Sequence, residues 1–192
     1  GSPSHIDVPY AMKAWALKAA ADEGATTLLW ADACILPIRS MEPLWEKIKS
    51  DGYWISRNGW KNSEWTADSA YADLGVTREE NEQIPHVVAT TFGLSLLHPT
   101  GKAIFDEYLR LAQTRAFCGP WMNRNHPDYA NRPINGRCAP CGPPTTRGHR
   151  HDQSSLSVIA WRNGCELTNA PEWFSYRGGE LESTVLVADS TY

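Results

Sequence analysis

Helix-like and strand-like segments alternate along this chain of 192 residues, and that alternation is the feature that most restricts its fold. Helical patterns are predicted at residues 9–23, 41–49, 67–74, 101–113 and 152–162, and strand patterns at 27–31, 53–56, 87–97 and 185–187. A further helix is opened by Thr77, with Glu80 at the capping-box spacing, and Thr100 is predicted to cap the helix at 101–113. Such alternation predicts an α/β fold, with a mixed sheet flanked by helices. The length suits one domain, placed at residues 3–192 because the opening Gly-Ser pair is typical of a cloning scar.

Composition excludes several classes of protein. No apolar run approaches the roughly 18 residues that a membrane span needs, and no secretory leader opens the chain. A net charge of −4 argues against a nucleic-acid-binding protein, which normally has a basic face. Five cysteines without a leader favour reduced thiols or a metal site over a disulfide framework, so we expect a cytoplasmic protein that needs neither a membrane nor a nucleic acid.

The segment 114–150 has no periodic pattern, is rich in Pro, Gly, Asn and Arg, and holds three of the five cysteines. Irregular loops of this length are usually functional or tied down by a metal. A Cys-x₂-Cys pair suits tetrahedral zinc, although a redox pair or free thiols remain open alternatives. The candidate zinc ligands are Cys118, Cys138, Cys141 and His149, with His151 close by.

Asp32 directly follows the apolar run at residues 27–31, which reads as a buried and parallel strand. In open α/β sheets, ligands bind at the carboxyl ends of such strands. A carboxylate there can hold a divalent cation, which in turn neutralises a diphosphate. The alternative is that Asp32 only opens a turn.

Two further positions carry chemical signals. Gly93 interrupts the longest strand pattern, which indicates either a bulge or the close approach of a ligand or backbone. Asp152 and Gln153 begin a helix directly after the irregular segment, where free backbone N–H groups can meet an anion. The alternative for Asp152 is a plain helix N-cap.

Nine tryptophans exceed what a core of this size needs. Aromatic rings with a polar edge are common where sugars or flat ligands are held. Three of them lie in loop-like stretches and are candidates for stacking on a substrate: Trp60, Trp65 and Trp121.

Three short segments, in this order, resemble motifs of the GT-A glycosyltransferases, the nucleotide-diphospho-sugar transferase superfamily, and most closely the glycogenin-like arrangement. Residues 28–34 (LLWADAC) resemble the strand that ends in the Asp-x-Asp motif. Residues 91–97 (TFGLSLL) resemble the Asn-x-Gly strand beside the donor sugar, and residues 151–156 (HDQSSL) resemble the Asp-Gln helix start. The resemblance spans roughly residues 9–175.

The resemblance implies a glycosyltransferase that moves a sugar from a nucleotide-diphospho-sugar to an acceptor, with Mn²⁺ or Mg²⁺ at the diphosphate. It implies that Lys13, Asp32 and Gly93 contact the donor and that Asp32 holds the metal. Asp152 and Gln153 would be the catalytic pair, with Asp152 facing the transferred sugar and the acceptor. A second hypothesis is a non-catalytic, zinc-stabilised binding module on the same scaffold.

The chain departs from the family pattern at three places. Cys34 stands where the family has its second aspartate, and a thiol is a poor ligand for Mn²⁺ or Mg²⁺. Thr91 stands where the family has asparagine, and no histidine follows His151. The family's nucleotide-binding units would precede residue 9, so we expect either a fragment or a relative with a reduced donor site.

Overall fold

The computed structural model describes residues 1–119, 141–176 and 182–189. The helices there are α1 (Ala11–Asp22), α2 (Glu42–Asp51), α3 (Tyr71–Leu74), α4 (Arg78–Asn81), α5 (Pro99–Leu111), α6 (Asp152–Arg162) and α7 (Ala170–Trp173). The strands are β1 (Thr27–Ala31), β2 (Ile35–Pro37), β3 (Tyr53–Trp54), β4 (Ser56–Lys61), β5 (Pro85–Val87), β6 (Thr91–Ser95), β7 (Thr168–Asn169), β8 (Phe174–Tyr176) and β9 (Leu186–Ala188). This mixture confirms the predicted α/β class.

The strands form three sheets of three strands each, in the orders β1-β6-β3, β2-β9-β8 and β5-β4-β7. The last two sheets are mixed, because β8 runs parallel to β9 and β7 runs parallel to β4. The prediction that β1 is parallel was wrong, since it pairs antiparallel with β6, with Thr27 opposite Ser95. An apolar run indicates that helices pack on the strand, as α1 and α2 do on β1. It does not indicate whether the strand runs parallel or antiparallel to its neighbour in the sheet.

The strand predicted at residues 87–97 is two strands in the structure. β5 ends at Val87 and β6 begins at Thr91, and the two belong to different sheets. In the break, the carbonyl of Ala89 accepts a hydrogen bond from the Lys13 ammonium, and the carbonyl of Thr90 accepts one from the backbone N–H of Asp32. The break therefore turns backbone carbonyls towards α1 and the end of β1.

Local signals at two helix starts have different outcomes. At α4, Thr77 and Glu80 form the capping box that their spacing predicts, each side chain accepting the other residue's backbone N–H. At α5, the sequence favours Thr100 as the cap, but His98 takes that position and its Nδ1 accepts from the Thr100 backbone N–H at 3.2 Å. None of the described helices is long and apolar enough to cross a membrane.

The larger hydrophobic core lies where α1, α5 and α6 pack around β1 and β6. Ile104, Tyr108 and Leu111 form the buried face of α5, as its periodicity predicts. This packing brings the first residue of α6 next to α1 and to the end of β1. Three segments that are distant in sequence thus meet at one place.

Candidate functional site

The Lys13 side chain joins Asp32 and Asp152. Its ammonium nitrogen lies 3.3 Å from Asp32 Oδ1 and 3.1 Å from Asp152 Oδ2, and it donates to the Ala89 carbonyl at 2.8 Å. The three residues come from α1, the end of β1 and the start of α6. Two residues from separate motif-like segments, Asp32 and Asp152, and a lysine that the resemblance implies therefore form one ionic cluster, here called the charge cluster.

Lys13 and Asp152 are buried, with 3% of each residue exposed, whereas the Asp32 side chain is 28% exposed. Burial acts to lower the pKa of Lys13, but the carboxylates of Asp152 and Asp32 outweigh it and leave that pKa above its usual value. The rings of Tyr10 and Trp30 lie 5.2 and 5.4 Å from the ammonium and add cation–π contacts. Lys13 therefore stays charged, and Asp32 forms the solvent side of the cluster.

Asp152 is the first residue of α6, and its side chain turns into the protein instead of capping the helix. Its Oδ2 accepts from the Tyr108 hydroxyl at 3.2 Å in addition to Lys13. Burial raises the pKa of Asp152 and the nearby Asp32 carboxylate adds to this, while Lys13 and Tyr108 oppose it. A carboxylate whose affinity for a proton is raised in this way is suited to general-base chemistry.

Asp32 is oriented by its own strand and by the break between β5 and β6. The Trp30 indole N–H donates to Asp32 Oδ1 at 2.7 Å, and the Asp32 backbone N–H donates to the Thr90 carbonyl at 2.8 Å. Oδ1 of Asp32 thus accepts the indole hydrogen bond and also pairs with the Lys13 ammonium. The structure places Asp32 at the end of β1, where the sequence predicts a ligand-facing carboxylate.

The residue before Asp152 has an unusual backbone. His151 has φ 53° and ψ −116°, a backbone conformation that residues other than glycine rarely adopt and that costs about 1–3 kcal/mol. Its Nδ1 hydrogen-bonds with the Phe117 carbonyl at 2.9 Å, while within the described ranges its buried Nε2 has no partner. This sharp turn starts α6 in the direction that presents Asp152 to Lys13. The pattern of the sequence contains no signal for it.

Arg150 supplies a second positive charge that sequence reasoning missed. Its guanidinium stacks on the Trp65 ring at 4.5 Å. Burial lowers the pKa of Arg150, and the neighbouring Tyr10, Tyr176 and Asp152 oppose this. Arg150 is therefore within electrostatic range of the charge cluster. The turn at His151, before α6, brings it there.

Gln153 and Gly93 have structural roles in the fold. The Gln153 amide donates to the Val87 carbonyl and so ties α6 to the end of β5. A Cβ on Gly93 would lie 2.3 Å from Ile48 Cδ1, so a larger residue there would displace the buried Ile48 side chain of α2. The group next to Gly93 is therefore a side chain, where the sequence predicts a bulge, a ligand or backbone, and the catalytic role of Gln153 and the donor contact of Gly93 stay predictions.

Two of the three candidate stacking tryptophans contact arginines. Trp60 lies on β4 with 42% exposure and has the Arg147 guanidinium 4.4 Å from its ring centroid. The Trp65 ring is stacked with His86 in addition to Arg150. Trp121 lies outside the described residues. Stacking of these tryptophans on a substrate stays a prediction.

The proposed zinc ligands are placed as follows. Cys141 is buried and disulfide-bonded, whereas Cys118 is a free thiol that donates to the Asp7 carbonyl at 3.4 Å. Both ring nitrogens of His149 are engaged, Nδ1 by the Ala67 N–H and Nε2 by the Ala116 carbonyl. No group of three His, Cys, Asp or Glu in the described ranges could hold a metal. Cys138 lies outside those ranges, so zinc stays a prediction.

The residues at the motif-like position do not fit a divalent cation. Oδ1 of Asp32 already accepts from an indole and an ammonium, and Cys34, a free thiol, stands in the second ligand position. Mn²⁺ and Mg²⁺ prefer oxygen ligands and low positive charge around them.

A groove of about 690 Å³ opens beside the cluster, with Arg57, Val88, Asn169 and Tyr176 among its lining residues. Arg57 donates to the Asn169 side chain at 2.9 Å across one wall. Burial raises the pKa of Tyr176, Thr90 and Arg150 lower it, and Asp32 raises it further. The phenol of Tyr176 therefore stands between the groove and the charge cluster.

Comparison with known proteins adds no identification: no family model, no curated protein and no solved structure matches this chain.

Proposed function

We propose that this protein is a glycosyltransferase that moves a sugar from a nucleotide-diphospho-sugar to an acceptor hydroxyl. The observation that carries the proposal is the contact of Lys13 with both Asp32 and Asp152. Asp32 and Asp152 belong to two separate motif-like segments, the resemblance adds Lys13 from the first helix, and nothing in their spacing along the chain requires the three to meet.

Each charged group then has a role in the transfer. Lys13 and Arg150 supply positive charge that favours the developing charge on the departing diphosphate. Asp152 accepts the proton of the attacking hydroxyl or supports the sugar during transfer. Asp32, at the solvent side, accepts hydrogen bonds from the donor.

The groove beside Tyr176 gives the acceptor a place. Val88, in the break between β5 and β6, lines it, and the exposed ring of Tyr176 offers an aromatic face next to polar side chains. Such a combination suits a sugar or another polyhydroxylated acceptor. We expect Tyr176→Ala to raise the KM for the acceptor about tenfold and to leave donor binding unchanged.

The proposal is tested by calorimetric titration of UDP and a panel of nucleotide-sugars into the protein, with and without Mn²⁺. Arg147 and Arg150 form a matched pair, since each stacks on a tryptophan, and Arg147 is paired with Glu64 whereas Arg150 interacts with Asp152. We expect Arg150→Met to weaken binding of the diphosphate by about tenfold or more, and Arg147→Met to leave it unchanged.

Equal loss in both arginine variants would contradict the assigned site. Absence of binding for every nucleotide and nucleotide-sugar would contradict the transferase itself and favour the alternative, a non-catalytic binding module. Zinc analysis of the purified protein tests the structural part of that alternative separately.

A further inference from the structure

We propose that the Lys13 ammonium is the resident cation of this site and holds the position between Asp32 and Asp152 that a divalent metal ion would otherwise take. The inference about metal binding stands on the geometry alone. Its consequence, that a nucleotide-diphospho-sugar binds without a divalent metal, rests on the proposed function.

The hydrogen-bonding capacity of Lys13 is fully used in this position. An ammonium group has three N–H donors, and three oxygens surround this one, from Asp32, Asp152 and the Ala89 carbonyl, at 2.8 to 3.3 Å. Only 3% of Lys13 is exposed, so water does not compete for these contacts. The ammonium is therefore fixed, and it acts through its charge and by orienting the two carboxylates.

The same contacts oppose a metal ion. An ion bound to Oδ1 of Asp32 would lie within about 5–6 Å of the ammonium, which is 3.3 Å from that oxygen, and their charges would repel in a poorly solvated site. Asp152 is held by Lys13 and by the Tyr108 hydroxyl. The thiol of Cys34 offers no compensating oxygen ligand. Lys13 thus makes the aspartates unavailable as a metal pair.

Direct Mn²⁺ binding to the protein alone tests this, with loss of the free-ion electron-paramagnetic-resonance signal as the readout. We expect no saturable binding by the wild-type protein at millimolar Mn²⁺. Lys13→Met removes the cation and keeps the length of the side chain, and we expect it to bind Mn²⁺ between the freed carboxylates. Lys18→Met is the matched control, because Lys18 lies on the same helix in an exposed pair with Asp22.

Stoichiometric Mn²⁺ binding by the wild-type protein that Asp32→Asn abolishes would overturn the inference. If Lys13→Met fails to fold, Lys13→Arg takes its place, since it keeps the charge and should bind no more Mn²⁺ than the wild type. Saturable binding by the arginine variant at these aspartates would count against the inference, because the charge would then not be what excludes the metal.

Donor titration in the presence of a chelator tests the consequence. We expect the Kd for UDP or its sugar to be the same in a chelator as in Mn²⁺, and a tightening of about tenfold or more by Mn²⁺ would refute it. Absence of any donor binding would overturn the proposed function and leave the Mn²⁺ result on the free protein to decide the role of Lys13.

Discussion

Two buried polar groups lie on either side of the turn that begins α6, and they tolerate burial in opposite ways. The charge cluster keeps its charges by pairing Lys13 with Asp32 and Asp152. The second group, here called the histidine cluster, consists of His86, His149 and His151, whose pKa values burial lowers, to about 3 for His86 and about 4 for His149. These imidazoles are therefore neutral at physiological pH.

The difference follows from what the backbone offers each group. Each of His149 and His151 meets a backbone carbonyl, which a neutral imidazole satisfies with its single N–H. Lys13 contacts two carboxylates, which stabilise its protonated, positively charged form. The charge cluster thus keeps its charges, while the imidazoles of the histidine cluster beside it carry none at neutral pH.

The largest expected effect is on activity. We expect Asp152→Asn to lower sugar transfer by about 10²- to 10⁴-fold, because it removes the proposed proton acceptor while Lys13 remains paired with Asp32. The fold should persist, as judged by an unchanged circular-dichroism spectrum. Asp106→Asn, in an exposed pair with Lys102, is the control. Wild-type turnover by the Asp152 variant would mean that the charge cluster is only structural.

Next in size is the stability of the charge cluster itself. Lys13→Met should lower the free energy of unfolding by about 3–5 kcal/mol, since it leaves buried carboxylates without their cation. Lys18→Met, which removes an exposed pair, should cost less than about 1 kcal/mol. Urea unfolding of both variants gives the comparison. Similar costs would show that Lys13 is no more than a surface-type ion pair.

The histidine cluster predicts acid instability. The folded pKa values of His86 and His149 lie below the ordinary 6.5, so the unfolded chain takes up protons first as the pH falls. The stability is fully present above pH 6.5 and is lost below it, by about 1.4 kcal/mol per pH unit for each imidazole, until that imidazole also protonates in the folded protein, near pH 4 for His149 and near pH 3 for His86.

Urea midpoints measured between pH 7.5 and 4.5 check this loss. His86→Gln should reduce the slope by about one proton, because one of the buried imidazoles is then absent. A free energy of unfolding that does not change over this range would mean that the histidines take up protons in the folded protein as readily as in the unfolded chain.

The smallest effect concerns the residue that connects the two clusters. The positive charge of Arg150 acts on both clusters. It lowers the pKa values of His86 and His151, and it interacts with the carboxylate of Asp152. Arg150→Met should cost about 1 kcal/mol at neutral pH through the lost stacking on Trp65. Because the histidines then protonate more easily in the folded state, the cost should become smaller below about pH 4, where the folded imidazoles begin to take up protons. A cost that grows on acidification would separate Arg150 from the histidine cluster.

The helices were the most predictable part of the fold. α1 and α6 carry helix-forming residues and end signals, α2 and α5 add an apolar face, and each forms within a few residues of its predicted bounds. The short strands β2 and β8 were missed, since three residues of apolar character carry no period. The division of residues 87–97 between two sheets was also hidden, because it depends on carbonyl contacts made by distant groups.

For the candidate site, the sequence indicated Asp32 and Asp152 through motif-like segments and Lys13 through the family resemblance, and it gave no distances between them. Arg150, Tyr108 and the strained turn at His151 had no sequence signal, because nothing local distinguishes an arginine or a tyrosine of a site from one elsewhere in the protein. At Gly93 the sequence predicts a bulge, a ligand or backbone, whereas the neighbouring group is the Ile48 side chain of α2.

The sequence by itself determined which segments are helical, which faces of them are buried, and which polar residues stand out from that pattern, because these properties depend on neighbours within a turn or two. Only the tertiary structure decided the direction of β1, the place of Cys141 in a disulfide and the meeting of three distant residues in the charge cluster. The charges of Lys13 and Asp152 are set by the burial and the partners that the packing of α1 against α6 creates, and no local pattern encodes them.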